Sequence, residues 1–158
     1  MGEQPSFGAP RGLYFEEFVE GSEVTSPART ITESDITLFA GLTGDYNPIH
    51  TDAEFSKGTQ FGQRIAHGLL LLSIASGLGY RIGFLEGTTE AFTDLEWKFS
   101  KPVFIGDTVR AQIKIVEKRP VKRLGAGLVT FEVRMLNQRD EVVQRGVWRL
   151  LIRSKPQG

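Results

Sequence analysis

The chain of 158 residues holds two histidines, His50 and His67, and no cysteine. Asp45 and His50 flank the turn Gly44-Asp45-Tyr46-Asn47-Pro48-Ile49-His50. Pro48 restricts Asn47 to an extended backbone, so the stretch is not expected to be regular helix, and both side chains can converge on one pocket. A carboxylate and an imidazole so placed can hold a water between them. One group takes its proton while the other donates or orients, with histidine titrating near neutral pH. The spacing leaves a second reading open, in which Asp45 caps the turn and His50 is a satisfied polar residue.

His67-Gly68 precedes the uncharged run Gly68-Leu-Leu-Leu-Leu-Ser-Ile-Ala-Ser-Gly-Leu78. A helix beginning there presents free backbone N–H groups and a positive dipole end, suited to a carbonyl that gains negative charge. Gly68 lets a substrate approach the main chain closely. A loop-to-helix junction with glycine for tight packing fits the same residues. His50 and Glu54 have the separation of two metal ligands, but with no third histidine to recruit and no thiol the set is incomplete, and no metal is expected. Lys118, Arg119, Lys122 and Arg123 lie between two strands, either as a solvated hairpin or as contacts to a phosphate-bearing ligand such as a nucleotide tail. Gly125 and Gly127 have no helix behind them, which argues against a dinucleotide fold. Ser73 and Ser76 fall inside the apolar run, where packing or hydrogen bonding to the backbone accounts for them.

Composition narrows the classes further. Lys plus Arg number 19 and Asp plus Glu 19, so the electrostatic footprint of a nucleic-acid binder is missing. Zero cysteine removes thiolate nucleophiles, Cys-ligated zinc and iron–sulfur clusters together. With 40% hydrophobic and 24% charged residues, the chain is globular in composition. Its length suits one domain, here expected over 13–158 behind a flexible arm at 1–12. The N-terminal stretch has no apolar h-region, so no signal peptide is read. The apolar run falls short of the about 20 residues that span a membrane. A cytoplasmic protein without membrane or nucleic-acid partners is expected.

The elements that must position these residues are legible in outline. Thr32-Glu33-Ser34-Asp35 is a helix start, with Thr32 as cap and an acid near the positive dipole end. Ile36, Phe39, Ala40 and Thr43 then mark one helical face, closed by Gly41 and Gly44. Asp52 caps a short helix through Phe55 that ends at Lys57-Gly58. The run from Gly68 to Leu78 is apolar all round and reads as a central helix buried on every side. Before these, Tyr14 to Gly21 forms an irregular strand or turn, and Val24 to Ile31 a first strand at an edge because of Pro27. After Gly83 come strands at Ala91–Phe99 (Phe92, Leu95, Trp97 and Phe99 inward), Val109–Val116, Leu128–Leu136 and Glu141–Ile152, with a turn at Asn137–Asp140. The class is α+β: an antiparallel sheet wrapped around one long helix.

Phe39-Ala-Gly-Leu-Thr-Gly-Asp-Tyr-Asn-Pro-Ile-His50 resembles the hydratase motif of the MaoC-like dehydratase family, which includes the (R)-specific enoyl-CoA hydratases. The likeness continues through Ile65-Ala-His-Gly-Leu-Leu-Leu71 and Phe99-Ser-Lys-Pro-Val-Phe-Ile-Gly-Asp107, and spans about residues 24–153. The first block is specific, and the other two are common to the wider superfamily. The resemblance implies a hot-dog fold, usually dimerised with the sheets joined edge to edge, so a homodimer or higher homo-oligomer is expected. It implies that Asp45 and His50 hold and activate water, that Asn47 fixes the active-site loop, and that the Gly68 N–H polarises a thioester carbonyl. His67 and Ser76 are supporting residues. The implied reaction is reversible syn addition of water to a trans-2-enoyl-CoA, giving a (3R)-hydroxyacyl-CoA. It needs no metal or redox cofactor, and coenzyme A is the substrate's carrier. Thioester hydrolysis is disfavoured, because hot-dog thioesterases generally carry an acid on the central helix and Gly68–Leu78 has none. Dehydration of hydroxyacyl groups on acyl carrier protein and a non-catalytic acyl-CoA-binding role remain as alternatives.

Overall fold

The computed structural model describes residues 11–156. The expected arm lies outside the described residues except for Arg11 and Gly12, and the Gly12 N–H donates to the Gly83 carbonyl at 2.7 Å. In chain order the elements are β1 (Glu23–Thr25), β2 (Arg29–Thr30), α1 (Glu33–Thr43), α2 (Pro48–Thr51), α3 (Ala53–Lys57), α4 (Gly68–Ile82), β3 (Thr89–Phe99), β4 (Thr108–Val121), β5 (Ala126–Leu136) and β6 (Val142–Arg153). The sheet runs β1-β4-β5-β6-β3, antiparallel throughout, with β2 paired to the start of β4.

Alternation decides which side of each strand faces α4. Val109, Ala111 and Ile113 of β4, Val129, Phe131, Val133 and Met135 of β5, and Trp148, Leu150 and Ile152 of β6 form one buried cluster with Leu70, Leu71, Ile74, Ala75 and Leu78 of α4. Phe18 and Phe84 close one end of it edge-on at 6.0 Å.

Several expectations change in detail. The first strand is two short pieces separated at Pro27, which has no N–H to give to a ladder. Pro48 begins α2 instead of precluding it: Asn47 is extended (ψ 130°) and caps the turn, and Pro48 takes the first helical position, where its fixed φ suits and its missing N–H has no helical partner to lose. The central helix runs on to Ile82 and is not covered all round. Leu69 is 59% exposed, and Ser73, Ser76 and Tyr80 continue the same open flank. The inward set of β3 does share the helix side of the sheet, because it pairs with Gln144, Gly146, Trp148 and Leu150. As an edge strand it is left largely uncovered, with Phe99 57% exposed. The inner face of β3 and the outer flank of α4 leave adjoining apolar side chains exposed, Leu69, Phe92, Leu95 and Phe99 among them.

Candidate active site

α1 is started by a reciprocal cap. The Asp35 N–H donates to Thr32 Oγ1, and the Thr32 N–H donates to Asp35 Oδ2 at 2.8 Å. The helix is anchored by buried Ile36 and Ala40 and stopped by Gly44 in the left-handed region (φ 79°). The chain then turns through a hydrogen-bonded loop. Thr43 Oγ1 accepts from the Asp45 N–H (3.2 Å), Asp45 Oδ1 from the Asn47 N–H (3.2 Å), and Asn47 Oδ1 from the Ile49 N–H (3.3 Å). Asn47 thus caps α2, which carries His50.

His50 Nδ1 lies 2.7 Å from the Ile65 carbonyl. A carbonyl only accepts, so Nδ1 carries the proton and the Nε2 lone pair is left free. His67 is 2% exposed, and its Nε2–H donates to the Asp45 backbone carbonyl at 2.9 Å. The two imidazoles stack with centroids 3.9 Å apart at 27°, and Phe39 backs His67 at 5.0 Å. Burial lowers the His50 pKa from its ordinary 6.5; the hydrogen bond to Ile65 opposes this, nearby His67 adds to it, and Asp45 opposes it.

Side-chain atoms of Asp45, His50 and His67 lie within 4.8 Å of one another, which spacing alone did not anticipate for His67. The trio fits a chelate poorly, since stacked rings aim their lone pairs side by side and each imidazole already gives one nitrogen to a carbonyl. Glu54, the other partner weighed for His50, is exposed and paired with Lys57 at 2.6 Å.

The third sequence block explains where α4 begins. Asp107 folds the turn after β3 by accepting from the Phe104 N–H (2.9 Å) and from Gln138 (2.7 Å). That turn presents the Val103 carbonyl, which accepts from the Ala66 N–H at 2.8 Å and so pins the chain just before His67-Gly68. Gly68 is the first residue of the 15-residue α4, and among the described residues its N–H has no hydrogen-bond acceptor. A Cβ at Gly68 would stand 2.7 Å from Phe99 Cδ1, so only glycine fits beneath that ring. His50 and Gly68 both line a cavity of about 380 Å³ that is also walled by Phe61, Ile65, Phe99, Lys101 and Gln144.

Asp45, Asn47, His50, His67 and Gly68 are therefore brought to one end of the molecule, and other expected residues are not. Ser76 lies two turns along α4 on the open flank, its hydroxyl donating to the Ser73 carbonyl at 2.7 Å. Lys118 is committed elsewhere: its Nζ donates to the carbonyls of Phe15, Glu16 and Phe18 and lies over the Phe15 ring. Arg119, Lys122 and Arg123 are exposed at the β4–β5 hairpin, at the sheet's other end. From Gln144 to Arg153 of β6 alone the strand runs about 30 Å.

A curled antiparallel sheet around one helix, with a carboxylate–imidazole pair beside that helix's N-terminus, defines a hot-dog protein of the hydratase and dehydratase class. The family described as MaoC like domain matches residues 15–135, and the chain belongs to this MaoC-like dehydratase family. It is 43% identical over 119 residues to an (R)-specific enoyl-CoA hydratase of Rhodospirillum rubrum, covering 75% of this chain and 77% of the relative. It is 38% identical over 138 residues to a 3-hydroxybutyryl-CoA dehydratase of Methylorubrum extorquens, covering 86% and 82%. A solved structure described as a monoamine oxidase regulatory protein from Archaeoglobus fulgius superimposes with a TM-score of 0.85 at 40% identity, covering 94% of this chain and 99% of that one. No helix among the described residues is long and apolar enough to cross a membrane.

Proposed function

We propose that the protein adds water reversibly to a trans-2-enoyl-CoA, giving the (3R)-hydroxyacyl-CoA. The observation that carries this reading is the tether of His50 Nδ1–H to the Ile65 carbonyl, which leaves Nε2 free on an imidazole that lies within 4.8 Å of the Asp45 carboxylate and lines the same cavity as Gly68. Water held between Asp45 and His50 adds its oxygen to C3 while Nε2 takes one of its protons. The C2–C3 π electrons shift toward the thioester, and the negative charge gathered on its oxygen is met by the Gly68 N–H and the positive end of α4. The proton then passes to C2 on the same face, which makes the addition syn. Water and enoyl thioester are the only reactants and no net electrons are transferred, so the step needs no redox cofactor; Asp45, His50 and the Gly68 N–H take the water-activating and charge-stabilising roles that a metal would otherwise fill. Coenzyme A carries the acyl group.

The reading includes a homodimer. The open flank of α4 and the inner face of β3 leave Leu69, Phe92, Leu95 and Phe99 exposed, and an edge strand invites pairing. Antiparallel pairing of two β3 edges turns the far end of one sheet toward the cavity end of the other. In that arrangement the exposed Arg119, Lys122 and Arg123 of one protomer approach the site of its partner as contacts for coenzyme A phosphates. Dehydration of hydroxyacyl groups on acyl carrier protein is less well supported, because Lys118 of the basic stretch is held by three backbone carbonyls. A purely regulatory or binding role leaves the Asp45, His50 and Gly68 arrangement without a use.

Hydration of crotonyl-CoA, followed as loss of the conjugated enoyl absorbance beside octenoyl-CoA, is the deciding experiment. Turnover with a 3R product is expected, and a 3S product or inertness toward both esters overturns the reading. The pH dependence has a worked sign. His50 must be neutral to accept a proton, and burial holds its pKa below the ordinary 6.5. The acid limb of kcat/KM is therefore expected to be centred below pH 6.5. A limb centred above 6.5 contradicts the assignment of His50 as the base.

A further inference from the structure

We propose that Gln144 is a positioning residue for the oxyanion donor, with Trp97 setting the direction of its amide; the inference rests on the hydratase reading for its kinetic readout. Gln144 lies on the helix side of β6, opposite Met135 on β5 and Phe99 on β3, and is 3% exposed. Its Nε2 donates to the Gly68 carbonyl at 3.0 Å, and its Oε1 accepts the Trp97 indole N–H at 2.8 Å. An indole N–H only donates and a carbonyl only accepts, so chemistry at both ends admits one orientation of the amide. An amide buried this deeply is costly unless both ends are satisfied, and here both are.

The peptide that offers its N–H to the thioester oxygen joins His67 to Gly68. Each flank of that peptide is fixed by a side chain. His67 is tied through Nε2 to the backbone of Asp45, and Gly68 is tied through its carbonyl to Gln144. The donor is thereby held against the catalytic loop on one side and the sheet on the other. The strands are cut to fit: a Cβ at Gly146 would stand 2.5 Å from Trp97 Cε3 and 1.9 Å from the Glu96 carbonyl oxygen, so glycine there lets Trp97 lie across β6. Trp97 touches neither the loop nor the helix start through a hydrogen bond and acts on Gly68 only through Gln144.

The test uses the full chain with Gln144→Met, which keeps length and loses the amide, Trp97→Phe, and the double variant. Misaiming a donor costs less than the hundred- to thousandfold seen when one is removed. Gln144→Met is accordingly expected to lower kcat on crotonyl-CoA about 10–100-fold with KM within about twofold. Trp97→Phe is expected to lower kcat about 3–10-fold in the wild-type background and to add nothing once Gln144 is Met. The Gly68 amide resonance in glycine-15N-labelled protein moves in both single variants, and Tm falls by several degrees in Gln144→Met, where the Trp97 N–H loses its acceptor. Additive effects of the two substitutions, or an unmoved Gly68 resonance with kcat intact, overturn the proposal. A wild type that hydrates neither ester overturns the hydratase reading alone, and the Gly68 resonance across the same three variants still decides the relay.

Discussion

Asp45→Asn and His50→Asn are each expected to remove about 10²–10⁴ of turnover on crotonyl-CoA, the range for a group that moves a proton in the transition state. Both substitutions are chosen to spare the loop. Asp45 Oδ1 accepts from the Asn47 N–H, and an asparagine keeps a carbonyl oxygen for that bond while losing the charge and the basicity. His50 Nδ1 donates to the Ile65 carbonyl, and an asparagine amide offers a donor at the same reach without a second nitrogen beyond it. The buried anchors, Ile36, Ala40 and His67, are untouched, so the melting temperature should move by a few degrees at most. Because the two groups handle one water, their losses should not multiply: the double variant should be no slower than the slower single one by more than a few fold. Steady-state kinetics on the four proteins, with thermal melts beside them, decides this. A single variant near wild-type rate would remove that residue from the proton path.

The sequence was most readable where local chemistry dictates structure. Thr32 with Asp35 announces the start of α1, and the period of Ile36, Phe39 and Ala40 announces the face it buries. Strict alternation from Val109 to Ile115 identifies the inner side of β4. Periodicity says which face is apolar and not what covers it, which is why α4 reads as buried all round when the sheet covers one flank only. Pro48 reads as a breaker because its effect on the preceding residue is visible in sequence, whereas its fitness to begin a helix depends on Asn47 supplying the cap. The family likeness decided the roles of Asp45, His50 and Gly68; spacing alone left Asp45 open between water activation and a turn cap, and Gly68 between a carbonyl-polarising donor and a packing glycine. The parts of the site that escaped are those made by distant chain. His67 meets Asp45 across 22 residues and Gln144 meets Gly68 across 76. Nothing local in Val-Gln144-Arg or in Ala-His67-Gly marks either contact. One clue was available for Gln144: it is a polar residue on the alternating face of β6 that continues through Trp148, Leu150 and Ile152.

Removing the Gly68 N–H should cost as much as removing a proton carrier, and the fold allows this to be measured without losing the helix. Gly68 is the first helical residue of α4, and His67 before it is extended at φ −57°, ψ 133°. Those are the conditions a proline accepts: a first-turn position whose N–H has no helical acceptor, preceded by an extended residue. The obstacle is Phe99, whose ring atoms stand 2.7 and 2.8 Å from any Cβ at residue 68. Phe99→Ala clears that space, so the informative pair is Gly68→Ala with Gly68→Pro, each combined with Phe99→Ala. Both carry a Cβ and the same vacated ring site; alanine keeps the N–H, and proline replaces it with a methylene. The alanine form is expected to retain most of the activity of Phe99→Ala alone. The proline form is expected to fall a further 10²–10³-fold in kcat, the cost of losing one oxyanion donor, with far-UV dichroism unchanged. Equal rates in the two forms would mean that the charge on the thioester oxygen is met elsewhere. The dipole of α4 would then have to act through the N–H of Leu69 or without a hydrogen bond, and Gly68 would owe its place to the Phe99 ring alone.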